Sequence, residues 1–223
     1  MANMALRRVL VMTAVEAERD AVLRGLQGDS RFEVTLAGVG PAQAAARTAR
    51  VLALASTPFD LAISAGIGGG FGGAAAVGSI VVADSIVAAD LGAETPDGFL
   101  TVEELGFGSA CMEVDPELAQ RLARRIASGG LQAAVGAVLT VSTATGSVRT
   151  AAERAARVAG AAAEGMEGYG VAAAAQEWGL PALELRAISN PVGPRDRSAW
   201  RIKEALEALE AAAAVFPVAL LND

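Results

Sequence analysis

Most of the side chains with reactive potential in this chain fall in three short segments. Glu16 and Glu18 follow directly on the apolar run Val9–Val15. A carboxylate there can act as a general base, or can simply place negative charge at the start of a helix. In Glu164-Gly165-Met166-Glu167-Gly168-Tyr169-Gly170, two acids and a methionine are interleaved with glycines. The glycines let a ligand approach the backbone, and a carboxylate can accept two hydroxyl hydrogen bonds from a ribose. Arg186-Ala187-Ile188-Ser189-Asn190-Pro191 ends an otherwise apolar run. Asn190 offers an amide donor and a carbonyl acceptor, although Asn before Pro is also ordinary turn chemistry. Further on, Arg195 and Arg197 either bind a carboxylate or sit in water.

The chain has no histidine, which excludes histidine triads, HExxH zinc sites and imidazole bases. A single cysteine, Cys111, allows neither an internal disulfide nor a CxxC metal site. Gly68-Gly69-Gly70-Phe71-Gly72-Gly73 is a formal GxGxxG match, but Ala74–Gly78 leads into a strand. A dinucleotide fingerprint needs a helix there, so no nicotinamide or flavin is expected.

These groups must be held by a core, and 53% hydrophobic against 19% charged residues over 223 positions is ample for one. The net charge of −7 argues against nucleic acid or an anionic membrane as partner. Leu61–Ala83 is uncharged over a membrane-spanning length, but seven glycines in it speak for strand, loop, strand. Arg7 and Arg8 precede only a short apolar run with acids straight after it, unlike a signal peptide. A cytoplasmic protein is expected.

Apolar β-branched runs alternate with alanine-rich stretches. Strands are expected at Arg8–Thr13, Phe32–Ala37, Asp60–Ala65, Ser79–Ala83, Gln132–Ser142, Ala161–Glu164 and Pro181–Ser189. Helices are expected at Glu16–Gly25, Pro41–Ala55, Asp115–Ala127, Thr150–Val158 and Gly168–Trp178, with a last one capped by Ser198 and running to Val215. Leu91–Cys111 reads as an excursion with a short hairpin. The chain is therefore one α/β domain, residues 1–223, with a central twisted mixed sheet flanked by helices.

The order of several segments resembles the purine nucleoside phosphorylase / nucleosidase superfamily, in its nucleosidase branch. They are Thr13–Glu18, Gly38-Val39-Gly40-Pro41-Ala42-Gln43-Ala44-Ala45, Ser64-Ala65-Gly66-Ile67-Gly68-Gly69, Val77–Asp84, Gly165-Met166-Glu167-Gly168 and Arg186-Ala187-Ile188-Ser189-Asn190. Asp90–Glu94, Gly98–Leu100, Val141–Gly146 and Asn190–Trp200 narrow the likeness to hydrolases of a 6-oxopurine nucleoside with a carboxylated aromatic side chain. The resemblance implies a small-molecule purine nucleoside substrate, attack by water at the ribose anomeric carbon, no cofactor, no metal, and a homodimer or larger homo-oligomer. It matches Glu18 to the general base, Glu167 to the carboxylate on the ribose hydroxyls, Met166 to the residue packed on the sugar, and Arg186 to electrostatic support.

Two positions depart from the nucleosidase pattern. Asn190 stands where adenine-specific members have aspartate; an amide can donate to O6 and accept from N7–H, which favours a 6-oxopurine. Ile67 stands in place of a serine and removes a hydroxyl contact. Phosphorolysis is the rival chemistry, with Arg47 or Arg50 as its candidate cations, and a methylthioadenosine-type nucleosidase is another. A catalytically silent nucleoside binder is a third, opposed by the presence of both Glu18 and Glu167. Phe99, Phe107 and Trp200 are candidates for an apolar wall, and Arg195 or Arg197 for the cation facing a substrate carboxylate.

Overall fold

The structure, a computed structural model, describes residues 6–221. Strand β1 (Val9–Thr13) lies between β2 (Phe32–Leu36) and β3 (Leu61–Gly70), all parallel. Its side chains alternate between two cores, as a period of two dictates. Val9 and Val11 join one core with helix α1 (Glu16–Leu26), while Leu10 and Met12 join the other with α2 (Pro41–Leu54) and α5 (Gly168–Glu177).

Beyond β1 the sheet curls. Strand β10 (Ala182–Pro191) is parallel to β3 and antiparallel to β4 (Ile80–Ala88). In turn β4 pairs with β8 (Ala133–Thr140), β8 with β9 (Ala161–Gly165), and β9 returns antiparallel to β3. The strands β3, β10, β4, β8 and β9 thus close on themselves. A short β7 (Cys111–Glu113) adds to β4, and β5 (Gly92–Thr95) and β6 (Gly98–Thr101) form the expected hairpin. Helices α3 (Pro116–Ser128), α4 (Val148–Arg157), α6 (Ile202–Ala213) and α7 (Phe216–Leu220) complete the layers. Asp115 caps α3 by accepting from the Glu117 and Leu118 N–H groups. Among the described residues no helix is long and apolar enough to cross a membrane.

Three expectations are corrected. The glycine segment is not a loop from Gly66 onward: β3 continues to Gly70, and the turn comes after it. A Cβ on Gly68 would lie 2.6 Å from the Glu164 carbonyl oxygen, so the glycines serve close strand approach. Strand β10 likewise runs past Ser189 to Pro191, which pairs with Gly70 at the strand's last position. Ser198 does not cap the last long helix. It sits in a 3₁₀ turn (Arg197–Ala199) held by Asp196, and α6 starts only at Ile202.

Candidate active site

On one edge of β3, pairing with β1 ends at Ser64 and pairing with β9 begins only at Gly69. Such a divergence of strands is where α/β sheets open a crevice. A cavity of about 260 Å³ lies here, lined by Glu18, Ile67, Gly69, Met166, Glu167, Asn190 and Trp200 among others. In the gap the Ile67 N–H donates to Glu18 Oε1 at 2.9 Å. Glu18 is the third residue of α1 and turns back toward β1, where its Oε2 accepts from Ala14 N–H (2.9 Å) and Val15 N–H (3.2 Å). Glu16, by contrast, is exposed at the helix start. Of the first acidic pair, only Glu18 is turned into the cavity.

Glu167 immediately precedes α5. Its Oε1 accepts from the Gly40 N–H at 3.2 Å, and its Oε2 lies 3.2 Å from Arg186 Nη1. Arg186 is fully buried on β10. It donates from Nε to Glu184 Oε1 (2.8 Å) and from Nη2 to Ser64 Oγ (3.1 Å). Three carboxylates, those of Glu18, Glu167 and Glu184, surround this one guanidinium.

The side chains need room that only glycine leaves. A Cβ on Gly66 would fall 2.6 Å from Glu18 Oε1, and one on Gly168 only 1.9 Å from Glu184 Oε2. Gly168→Ala must therefore push Glu184 off Arg186, with an expected loss of about 1–3 kcal/mol in stability. Urea unfolding of the variant measures this, and an unchanged midpoint would mean that Glu184 can retreat at no cost.

Burial raises the pKa of Glu18, and the Arg186 charge and the Ile67 N–H only partly oppose it. Burial also raises that of Glu184, against the pull of Arg186. For Arg186 burial acts to lower the pKa, but Glu184, Glu167 and Glu18 outweigh it, so the guanidinium stays charged. Glu18 is thus a carboxylate made more basic than usual and fixed at the cavity wall, as a general base requires.

Asn190 stands opposite at the carboxyl end of β10, beyond a bulge between Ile188 and Asn190 that re-aims the strand. Its Oδ1 accepts from Ser189 Oγ at 2.8 Å, and its Nδ2 donates to the Pro191 carbonyl at 3.0 Å. Met166 packs with Phe71, Leu139 and Val141 at the cavity side. Ile67 contributes its side chain to the wall and its backbone N–H to Glu18, a donor the missing serine hydroxyl does not supply.

Of the three aromatic candidates, Trp200 lines the cavity, with the Arg195 guanidinium 5.1 Å from its ring centre. Phe99 lies elsewhere, under Arg157 at 4.2 Å, and Phe107 is exposed to solvent. Arg197 also approaches Trp200, at 5.9 Å, but does not line the cavity. Arg47 and Arg50 occupy a separate surface groove with Arg8 and Glu33.

A second buried ionic group adjoins the cavity. Arg154 on α4 donates to Glu164 Oε2 at 2.9 Å and to Thr145 Oγ1. The Thr145 N–H donates to Glu164 Oε1 at 2.8 Å, and its hydroxyl to Oε2. Both Glu164 and Thr145 line the cavity.

With this geometry in place, comparison with known proteins is decisive at the family level. The family model of the phosphorylase superfamily matches residues 11–222. The chain belongs to the phosphorylase superfamily. Within that superfamily it is 53% identical to the futalosine hydrolase of Streptomyces coelicolor over 219 residues, covering 90% of this chain and 91% of that one. It is 37% identical to the futalosine hydrolase of Thermus thermophilus over 191 residues, covering 83% and 80%. Among solved superfamily structures, the methylthioadenosine/S-adenosylhomocysteine nucleosidase of Neisseria meningitidis superposes with a TM-score of 0.76 at 19% identity, covering 94% and 99%. The futalosine hydrolase of Helicobacter pylori gives 0.76 at 17%, covering 96% and 97%. At such identities the two structures speak for the fold.

Six of the residues singled out from the sequence, Glu18, Ile67, Met166, Glu167, Arg186 and Asn190, meet at or against one cavity. Ser64, Glu184, Thr145 and Arg154 were not among them. Glu184 had a visible signal, an acid in the middle of an apolar strand, where an unpaired charge is not tolerated. Arg154 had none, because its burial and its pairing with Glu164 on β9 exist only in the folded chain.

Proposed function

We propose that this chain hydrolyses the N-glycosidic bond of futalosine, releasing hypoxanthine and dehypoxanthine futalosine on the futalosine route to menaquinone. The observation that carries the reading is the 53% identity to a futalosine hydrolase over nine-tenths of the chain. The site geometry supplies a chemistry consistent with it.

In the proposed reaction Glu18 takes a proton from a water molecule as its oxygen bonds to the anomeric carbon. The bond from that carbon to N9 breaks with its electron pair going to the base, which takes up a proton from solvent at N7, and Glu18 later returns its own proton to solvent, so that one water is consumed overall. Positive charge develops on the ribose ring, so the carboxylates of Glu167 and Glu18 stabilise the transition state more than the ground state. Glu167 holds the ribose hydroxyls, Met166 packs on the sugar, and Arg186 keeps the carboxylates apart and oriented. Asn190 donates to O6 and accepts from N7–H of the leaving base. Trp200 and Arg195 form the apolar wall and the cation for the carboxylated aromatic end of the substrate. No metal or organic cofactor takes part. The reading also includes a reducing, cytoplasmic setting for the free Cys111, and self-association as a homodimer or larger homo-oligomer.

The test offers futalosine and methylthioadenosine in phosphate-free buffer and follows base release by chromatography. Hypoxanthine from futalosine alone is expected. Adenine from methylthioadenosine alone would overturn the substrate, and release only after phosphate is added would replace hydrolysis by phosphorolysis. Asn190→Asp exchanges an amide donor for an acceptor opposite O6. It should shift the kcat/KM ratio toward 6-aminopurine nucleosides by about 5- to 150-fold, and an unchanged ratio would remove Asn190 from base recognition.

A further inference from the structure

We infer that Glu164 is a specificity-determining residue whose carboxylate accepts the N1–H of a 6-oxopurine, across Gly69 from Asn190. The inference rests on the futalosine reading and deepens it. Gly69 on β3 is the register partner of Glu164 on β9 and of Asn190 on β10. Partners in register point to one face of a sheet, so the two side chains stand on the same side, roughly 9–10 Å apart at their Cα atoms. Glu164, Asn190 and Met166, the last just beyond the end of β9, all line the same cavity. Between them Gly69 contributes no side chain. A Cβ there would crowd Val192 Cγ2 at 2.9 Å and Asn190 Nδ2 at 3.4 Å, narrowing the floor on which a planar base would lie.

The Glu164 carboxylate is immobilised rather than saturated. Its Oε2 accepts from Arg154 and the Thr145 hydroxyl, and its Oε1 accepts from the Thr145 N–H. A carboxylate has about four acceptor positions, which leaves one on Oε1 for a ligand. On a 6-oxopurine the groups met in order along the edge are N7, O6 and N1–H. With Asn190 serving the first two, a donor at N1 comes to the Glu164 side. On a 6-aminopurine N1 is a lone pair, which a salt-bridged carboxylate opposes. Asn190 and Glu164 therefore read the same chemical difference at adjacent atoms, and Arg154 acts as the positioning residue that holds the second reader.

The experiment measures calorimetric binding of hypoxanthine, 1-methylhypoxanthine and adenine to the wild type and to Glu164→Gln, with futalosine turnover run beside it. On the wild type, hypoxanthine should bind about 10- to 100-fold more tightly than 1-methylhypoxanthine or adenine. In the variant both gaps should shrink by a factor of about ten or more, since a glutamine can present either a donor or an acceptor. Equal binding of hypoxanthine and its N1-methyl form by the wild type would overturn the inference. So would gaps unchanged in a folded variant. Should the variant not fold, the wild-type comparison decides alone. Absence of futalosine turnover by the wild type, with its N1–H preference intact, would sink the futalosine reading and leave Glu164 in its role.

Discussion

Glu18→Gln should reduce kcat/KM by about 10²- to 10⁴-fold while leaving the fold intact, because it removes the base without changing the size of the side chain. The same group sets a pH dependence with a definite sign. Burial raises the pKa of Glu18, so the wild-type rate should climb with pH as the carboxylate loses its proton, and the acid limb should lie above the ordinary carboxylate range. For stability the sign is opposite. A carboxyl group whose folded pKa is raised contributes stability that is fully present below its unfolded value. That contribution is lost as the pH rises through the folded value. Glutamine does not titrate. The Tm difference, variant minus wild type, should therefore grow in the variant's favour from about pH 4 to pH 8. Its absolute size also contains the mismatch of an amide facing either the Ile67 N–H or the Ala14 and Val15 N–H groups, so the slope is the diagnostic quantity. A flat difference together with full activity would remove Glu18 from the base role.

Arg186→Met should cost about 3–5 kcal/mol of unfolding free energy and abolish turnover, because it leaves Glu18, Glu167 and Glu184 buried around an uncharged side chain. Urea unfolding at neutral pH measures the loss, and lowering the pH should recover part of it as the carboxyl groups take up protons. The pair is expected to be strongly non-additive with Glu184→Gln. In the wild type the glutamine removes a partner of Arg186, whereas in the methionine background it removes an unpaired buried charge and should stabilise. Additive effects would mean that Glu184 and Arg186 do not act as one unit. Activity is the second readout, since neutralising Glu184 should restore stability to the methionine variant without restoring turnover.

Much of the scaffold was legible along the chain because its elements are locally dictated. The apolar runs of β1 and β8 and the Asp115-Pro116 start of α3 are signals that act over a few residues. The misplaced boundaries share one cause. Glycines in β3 and Pro191 in β10 oppose strand formation locally, yet both strands persist because each supplies the other's partner across the sheet. Ser198 failed as a helix cap for the converse reason: Asp196 claims its N–H and hydroxyl for a 3₁₀ turn, which delays the helix to Ile202.

The sequence by itself determined the α/β class, the absence of histidine chemistry, and the residue types at Glu18, Met166, Glu167, Arg186 and Asn190, all of which are properties of composition and local order. Only the tertiary structure decided that these residues converge. It divided Glu16 from Glu18, brought Glu184 and Ser64 to Arg186, and left Phe99 and Phe107 outside the cavity that Trp200 lines. It also set Glu164 and Asn190 on either side of Gly69. The physical reason is separation along the chain. Burial and charge pairing in the site depend on contacts between residues far apart in the chain, 168 positions in the case of Glu18 and Arg186, and such contacts exist only once the sheet has closed.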